Sequence, residues 1–256
     1  MINDVYSIYK EYAVKYKLSN KDIKKLWDII KPICEHEEFL KRMQKPFYHH
    51  EFKTLGEHII SDTIVTYKIA SDLNKRVDKN INVRLACLIA MFHDLYEHPW
   101  QNHGHKKLVN AHGFTHPVEA AINAITWFPE YFKDKTNSFI IIDGIIHHMY
   151  PLPVRRMDYD IFELNNQPKY EDLDDKYKNM IKLSTSYGKL GKFSMRKSFF
   201  IEGRILSKAD KKVAMGTDIK SIRGLLSLVT GKNKKIDKNY NITKKVVIKR
   251  KNPKDN

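Results

Sequence analysis

The sequence predicts an all-α helical bundle with an N-terminal helical extension. Three observations lead there. Apolar residues recur at the three-to-four-residue period of helices along most of the chain. No convincing series of alternating strands and no internal repeat is visible. Residues 83–95 (VRLACLIAMFHDL) are apolar on nearly every face, as befits a helix buried at the centre of a bundle.

Taken in order, residues 2–17 and 20–42 read as two helices. Ser19 or Asn20 is placed to cap the second, and Pro32 to kink it. Thr54-Leu-Gly-Glu57 has capping-box spacing and opens a helix running to about Leu73. The central helix covers about 81–96. A polar, histidine-rich loop follows over 97–115. Pro117 suits the first turn of the next helix, with His116 at or beside its N-cap and an end near Phe128-Pro129. Another helix covers about 137–149 and stops before Pro151-Leu-Pro153. Residues 158–196 are charged and weakly periodic, and a last helix spans about 197–215. The expected organisation is an extension over 1–48, the main domain over 49–230 with 158–196 as an insertion, and a basic tail over 231–256, in which 243–249 (TKKVVIK) has the character of a short edge strand.

Composition narrows the class. The 256 residues suffice for one large domain with extensions, and 42% hydrophobic residues supply a sizeable core. Cys34 and Cys87 are the only cysteines and both have apolar neighbours, which argues against a disulfide framework and for a reducing compartment. No run of about 18 apolar residues is present and the N-terminus lacks a signal-peptide core, so no membrane partner is expected and the cytoplasm is the expected location. The net charge is +16, and residues 231–256 hold ten Lys or Arg against two Asp. Such a run is either an electrostatic footprint for nucleic acid or a solvated tail, and the second reading is preferred.

The chemistry concentrates at His93 and Asp94, side by side at the end of the apolar segment. A carboxylate beside an imidazole in such a stretch is costly unless something binds both, and a divalent cation neutralises both. Suitable partners lie at helix ends or on apolar faces: His58, His116, His148 and Asp210. Six nitrogen and oxygen donors from five helices can converge at one end of a bundle. The absence of a thiolate from the set argues against a structural zinc finger, while Mn, Fe, Co, Ni, Zn and Mg all suit it.

The order His58, His93-Asp94, Asp210, with His116 and His148 between, resembles the HD-domain phosphohydrolase superfamily in its two-metal branch. The likeness extends to His50, eight residues before His58, and to the segments HGFTHP (112–117), HHMYPL (147–152) and ADK (209–211). It resembles a group of stand-alone bacterial HD proteins and covers roughly residues 36–157 and 198–215. Residues 1–35, 158–196 and the basic tail are extra relative to compact members.

The resemblance implies an HD-domain bundle over 49–230 and hydrolysis of a nucleotide phosphoester or phosphoanhydride by a metal-activated hydroxide. His93 and Asp94 would be the catalytic pair, and two ions about 3.5–4 Å apart would share Asp94. His58, His93 and Asp210 would complete one position, and His116 and His148 the other. His147 competes with His148 for the last place. His50, His112 and His147 are otherwise read as supporting the ligands by hydrogen bonds. His98, His103 and His105 are read as facing solvent or the site mouth. Arg84, Lys106, Lys107, Arg155 and Arg156 are candidates to neutralise substrate phosphate, and Tyr150 to touch substrate. Trp100 and Trp127 are read as packing.

The partner expected is a small phosphorylated substrate, a nucleotide first among them. The alternatives are a nuclease or RNA-processing enzyme whose tail grips phosphates, and a regulatory module that binds metal and nucleotide without turnover. Oligomeric state is left open.

Overall fold

The computed structural model describes residues 2–44, 48–49, 53–77, 80–97, 111–158 and 168–215. The architecture is all-α. In chain order come α1 (Ile2–Lys15), α2 (Asn20–Cys34), α3 (Glu37–Arg42), a two-residue hairpin β1 (Tyr48–His49) and β2 (Lys53–Thr54), α4 (Leu55–Val77), α5 (Val83–Phe92), α6 (His112–Trp127), a 3-10 turn (Pro129–Phe132), α7 (Lys135–Ile146), β3 (Val154–Arg155), α8 (Pro168–Glu171), α9 (Asp175–Ser186), β4 (Lys189–Leu190), β5 (Phe193–Ser194) and α10 (Ile201–Met215). No described helix is long and apolar enough to cross a membrane.

α5 is the axis of the bundle. Every residue from Leu85 to Phe92 is buried, and α2, α4, α6, α7 and α10 all pack on it. The Asn82 side chain caps it by accepting from the Leu85 amide (3.1 Å), while the Asn82 amide donates to Glu202 at the start of α10 (3.0 Å). The N-terminal helices share this core: Val5, Tyr9, Ala13, Ile23, Leu26 and Ile30 join the same apolar cluster as Ile89 and Phe92.

Several boundaries differ from the sequence reading. The expected helix over 20–42 is two helices. The chain continues helically through Pro32 and breaks at Glu35-His36, where the His36 ring accepts from the Glu38 amide (3.2 Å) and caps α3. A histidine acting as a cap carries no sequence signal of the Ser/Thr/Asp/Asn kind. Ser19, rather than Asn20, caps α2. Thr54 accepts from the Glu57 amide (3.2 Å), and α4 continues to Val77. α6 starts at His112, so Pro117 lies inside it and His116 one turn in. In that turn Nδ1 of His116 lies 2.8 Å from the His112 carbonyl.

The 158–196 segment contributes structure that its weak periodicity did not announce. β3, β5 and β4 form a small antiparallel sheet, with Val154 opposite Ser194 and Leu190 opposite Phe193. Gly191 begins its two-residue turn at φ +54°. The buried carboxylate of Asp143 on α7 ties this region down, accepting from Ser184 (2.9 Å), Arg196 (2.5 Å), Ser198 (2.7 Å) and the Phe199 amide (2.8 Å).

α7 and α10 approach closely where glycine meets glycine. A Cβ on Gly203 would lie 2.7 Å from the Gly144 Cα and 2.5 Å from Ser198 Oγ. This crossing sets where α10 carries Asp210 relative to α7, which ends just before His148. Gly203→Ala is expected to destabilise the protein by about 1–3 kcal/mol through overpacking, although alanine is the better helix former. Thermal and urea unfolding followed by circular dichroism measure it, and a neutral result would contradict the close packing.

Candidate metal centre

His93 and Asp94 leave α5 at its C-terminal end, and three side chains from two helices clamp the turn that follows. Asn123 on α6 donates to the Leu95 carbonyl (2.7 Å). Glu119, one turn earlier, accepts from the Glu97 amide (2.9 Å). Arg42, buried at the end of α3, donates to the Tyr96 carbonyl (2.6 Å). The N-terminal extension thus helps fix the turn that carries Asp94.

Three imidazoles are oriented the same way. Nδ1 of His93 lies 2.7 Å from the Ala90 carbonyl, Nδ1 of His116 lies 2.8 Å from the His112 carbonyl, and Nδ1 of His148 lies 2.7 Å from the Ile145 carbonyl. A carbonyl only accepts, so each Nδ1 bears the proton and each Nε2 is left as the inward-facing donor. This is how a protein fixes the tautomer of a metal-binding histidine.

The Nε2 atoms converge on Asp94. Oδ2 of Asp94 lies 3.5 Å from Nε2 of His58 and 3.5 Å from Nε2 of His93. Oδ1 lies 3.4 Å from Nε2 of His116 and 3.6 Å from Nε2 of His148, and those two nitrogens are 3.2 Å apart. Oδ1 of Asp210 lies 3.7 Å from Nε2 of His58. The structure therefore brings together all six residues singled out as ligands, with one Asp94 oxygen facing each pair of histidines. His148 faces the cluster, whereas His147 turns away, its Nε2 lying 3.2 Å from the Ser184 carbonyl.

A seventh residue joins them. Asp62 is one helical turn after His58 on α4 and fully buried. Its Oδ2 lies 3.0 Å from Nε2 of His58 and 3.3 Å from Nε2 of His93. Its spacing, four residues after His58, puts both on one face of α4.

The donor set fits divalent ions. Around a cation with bonds of about 2.1 Å, neighbouring donors stand about 3.0 Å apart in an octahedron and about 3.4 Å apart in a tetrahedron. His58, Asp62, His93 and Asp210 form one such group, and His93, Asp94 and His148 another. Both Asp62 oxygens, His93 Nε2 and Asp94 Oδ1 are buried without a hydrogen bond of good geometry. Buried polar atoms left this way call for a bound partner.

Electrostatics agree. Burial opposes charge on His93, yet Asp94 and Asp62 push it up to about 10. Burial opposes charge on His58 too, and Asp62, Asp94 and Asp210 raise it. Burial would raise Asp94, but His93, His116 and His58 hold it well below the usual carboxylate range. Burial, with Asp62 adding to it, pushes Asp210 up to about 6. Burial beside His93 and His116 holds His148 well below its ordinary value. The carboxylates thus draw positive charge, as protons when no cation is bound.

The substrate-facing candidates scatter. Arg84 is exposed in the first turn of α5, about 14 Å along the axis from His93, so it stands away from the cluster. Arg156 is buried and engages Asp158 through Nε and a terminal nitrogen. Arg155 is buried on β3, whose strand packs on α6. His112 stacks on His116, with ring centroids 4.6 Å apart. Trp127 packs between Arg42 and Lys169. His50, His98, Trp100, His103, His105, Lys106, Lys107 and the basic tail lie outside the described residues.

Tyr150 lies two residues after His148, and its carbonyl accepts from Ser207 of α10 (3.4 Å). Lys197 stands 5.6 Å from the centre of its ring. Lys211, next to Asp210, donates to Ser207 Oγ (2.6 Å). Lys197 and Lys211 are the cations that the sequence reading passed over.

Comparison with protein-family models, with curated proteins and with solved structures finds no match. What the fold and the geometry define is an all-α protein with a buried His/Asp cluster that could hold metal.

With His93 raised to about 10, a proton occupies its inward nitrogen at neutral pH in the ion-free protein. A metal must displace it. Mn²⁺ is therefore expected to bind with release of at least one proton and to bind more tightly as the pH rises toward about 10. Calorimetry in two buffers of different ionisation enthalpy reads the proton count directly. Binding without proton release would place the ion elsewhere.

Proposed function

We propose that the protein is a metal-dependent phosphohydrolase or phosphodiesterase of the HD-domain superfamily. It would hydrolyse a phosphoester or phosphoanhydride of a nucleotide or related small phosphate compound. One observation carries the reading: Asp94 directs one carboxylate oxygen at His58 and His93 and the other at His116 and His148. A carboxylate shared between two sets of inward-facing imidazoles is what two adjacent ions need of a protein.

His58, His93, Asp94 and Asp210 would hold one ion, and Asp94, His116 and His148 the other. Ions bound there supply positive field that acidifies a water and neutralises phosphate oxygens. The chain's own residues do the rest. The Ala90, His112 and Ile145 carbonyls hold three imidazoles in the tautomer that binds. Arg42, Glu119 and Asn123 hold the Asp94 turn still. Burial of the cluster excludes bulk water and strengthens each charge interaction. Tyr150, two residues after His148, Lys197, which stands over its ring, and Lys211, next to Asp210, would be the first candidates to meet a phosphorylated ligand.

A nuclease is the second reading, favoured by one feature of the surface. Residues 176–201 contain seven Lys or Arg and no Asp or Glu. Within them Tyr187 and Phe199 are exposed, their rings 5.4 Å apart, and Lys197 links this surface to Tyr150. Cations interleaved with exposed rings suit a single strand.

Phosphate release from nucleotides, dinucleoside polyphosphates and short RNA, with Mn, Fe, Co or Mg added to stripped protein, separates the two. Turnover of one small nucleotide, abolished in Asp94→Ala and His93→Ala while the helical fold persists, is the expected result. Release from RNA alone would select the nuclease. Full activity in either variant would overturn the assignment.

A further inference from the structure

We infer that Asp62 is itself a metal ligand, the fifth protein donor of the first position, and that it makes the two positions unequal. The inference rests on the two-ion reading above and goes beyond its six donors.

The argument starts from which side of the histidines Asp62 occupies. A carboxylate that merely orients a metal-bound imidazole accepts from the nitrogen facing away from the metal. On His93 that nitrogen is Nδ1, and the Ala90 carbonyl already has it. Asp62 instead approaches Nε2 of both His93 (3.3 Å) and His58 (3.0 Å), the nitrogens that face Asp94. There the carboxylate lies on the side of the rings where an ion would bind, the position of a ligand and not of an orienting group. Neither Asp62 oxygen has a hydrogen bond of good geometry, and the side chain is fully buried. An ionised carboxylate in that condition needs a cation.

The consequence is an asymmetric pair. The first position gathers His58, His93 and three carboxylates: Asp62, Asp94 Oδ2 and Asp210. The second has His116, His148 and only the other oxygen of Asp94. Five protein donors rich in carboxylate suit a hard, six-coordinate ion such as Mn²⁺ or Fe²⁺, with one place left for water, over a closed tetrahedral Zn²⁺ site. The charge difference makes the first ion resident and the second exchangeable, arriving at working concentrations of metal or with a phosphate substrate that brings its own negative charge.

The test is a Mn²⁺ titration of stripped full-length protein, read by calorimetry and by the loss of the free-Mn²⁺ electron paramagnetic resonance signal. The wild type is expected to take up two ions, the first at least about 100-fold more tightly. Asp62→Asn keeps the shape and removes the charge. It is expected to weaken the first step by more than about 100-fold, beyond the 10–100-fold typical of a group that only orients a ligand, and to leave the second step nearly unchanged. The metal-free variant is expected to melt at or above the wild-type temperature, because one of three clustered carboxylates is gone. Retention of the tight step within 10-fold would overturn the role of Asp62 while leaving the two-ion reading intact. Equal affinities at the two wild-type steps would overturn the asymmetry without any variant. Loss of both steps together with a lowered metal-free melting temperature would mark Asp62 as structural and overturn its role as ligand. A wild type that binds no divalent ion would overturn both readings.

Discussion

Three carboxylates share one apolar interior. Asp62, Asp94 and Asp210 come from three helices and meet around the imidazoles of His58 and His93, with little or no contact to solvent. Like charges this close in a low-dielectric setting repel strongly unless positive charge lies among them. The rest of the structure is arranged around that constraint. α5 supplies a wholly buried axis that ends at His93, and α4 and α10 press their carboxylates against it.

Precision then comes from ordinary contacts. Glycines at 144 and 203 let α7 and α10 approach to near backbone contact. The Asp143 carboxylate ties 184–199 to α7. Arg42 reaches from the N-terminal helices to the Tyr96 carbonyl. None of these residues belongs to the His/Asp cluster, yet each limits how the helices bearing it can shift. Repositioning by an ångström is enough to impair a centre of this kind. The helices before residue 44 are therefore part of the bundle's core and bear on the turn after His93-Asp94 through Arg42.

Much of this was legible in the sequence, and the reason is local. The helical period marks each long helix because one face of each must be buried. His93-Asp94 stood out because polar residues in an apolar run need a partner. The order of the remaining histidines and Asp210 carried the resemblance from which the ligand set was drawn. Asp62 was overlooked because a single carboxylate on a helix is indistinguishable, in one dimension, from a solvent-facing one. The cap on α3 and the short β3–β5–β4 sheet escaped for a related reason: a histidine cap and two-residue strands have almost no pattern to read.

The sequence by itself determined that this chain forms a helical bundle and that α5 lies at its centre, and the resemblance it carries named six residues as candidates to meet. Tertiary structure alone decided that Asp62 joins them, that His148 faces inward while His147 turns to Ser184, and that Arg84 stands at the wrong end of α5. The reason is physical. Burial and periodicity are properties of one helix, readable along the chain. Which nitrogen faces which oxygen depends on how several helices rotate and slide against one another, and that is settled only when their side chains pack.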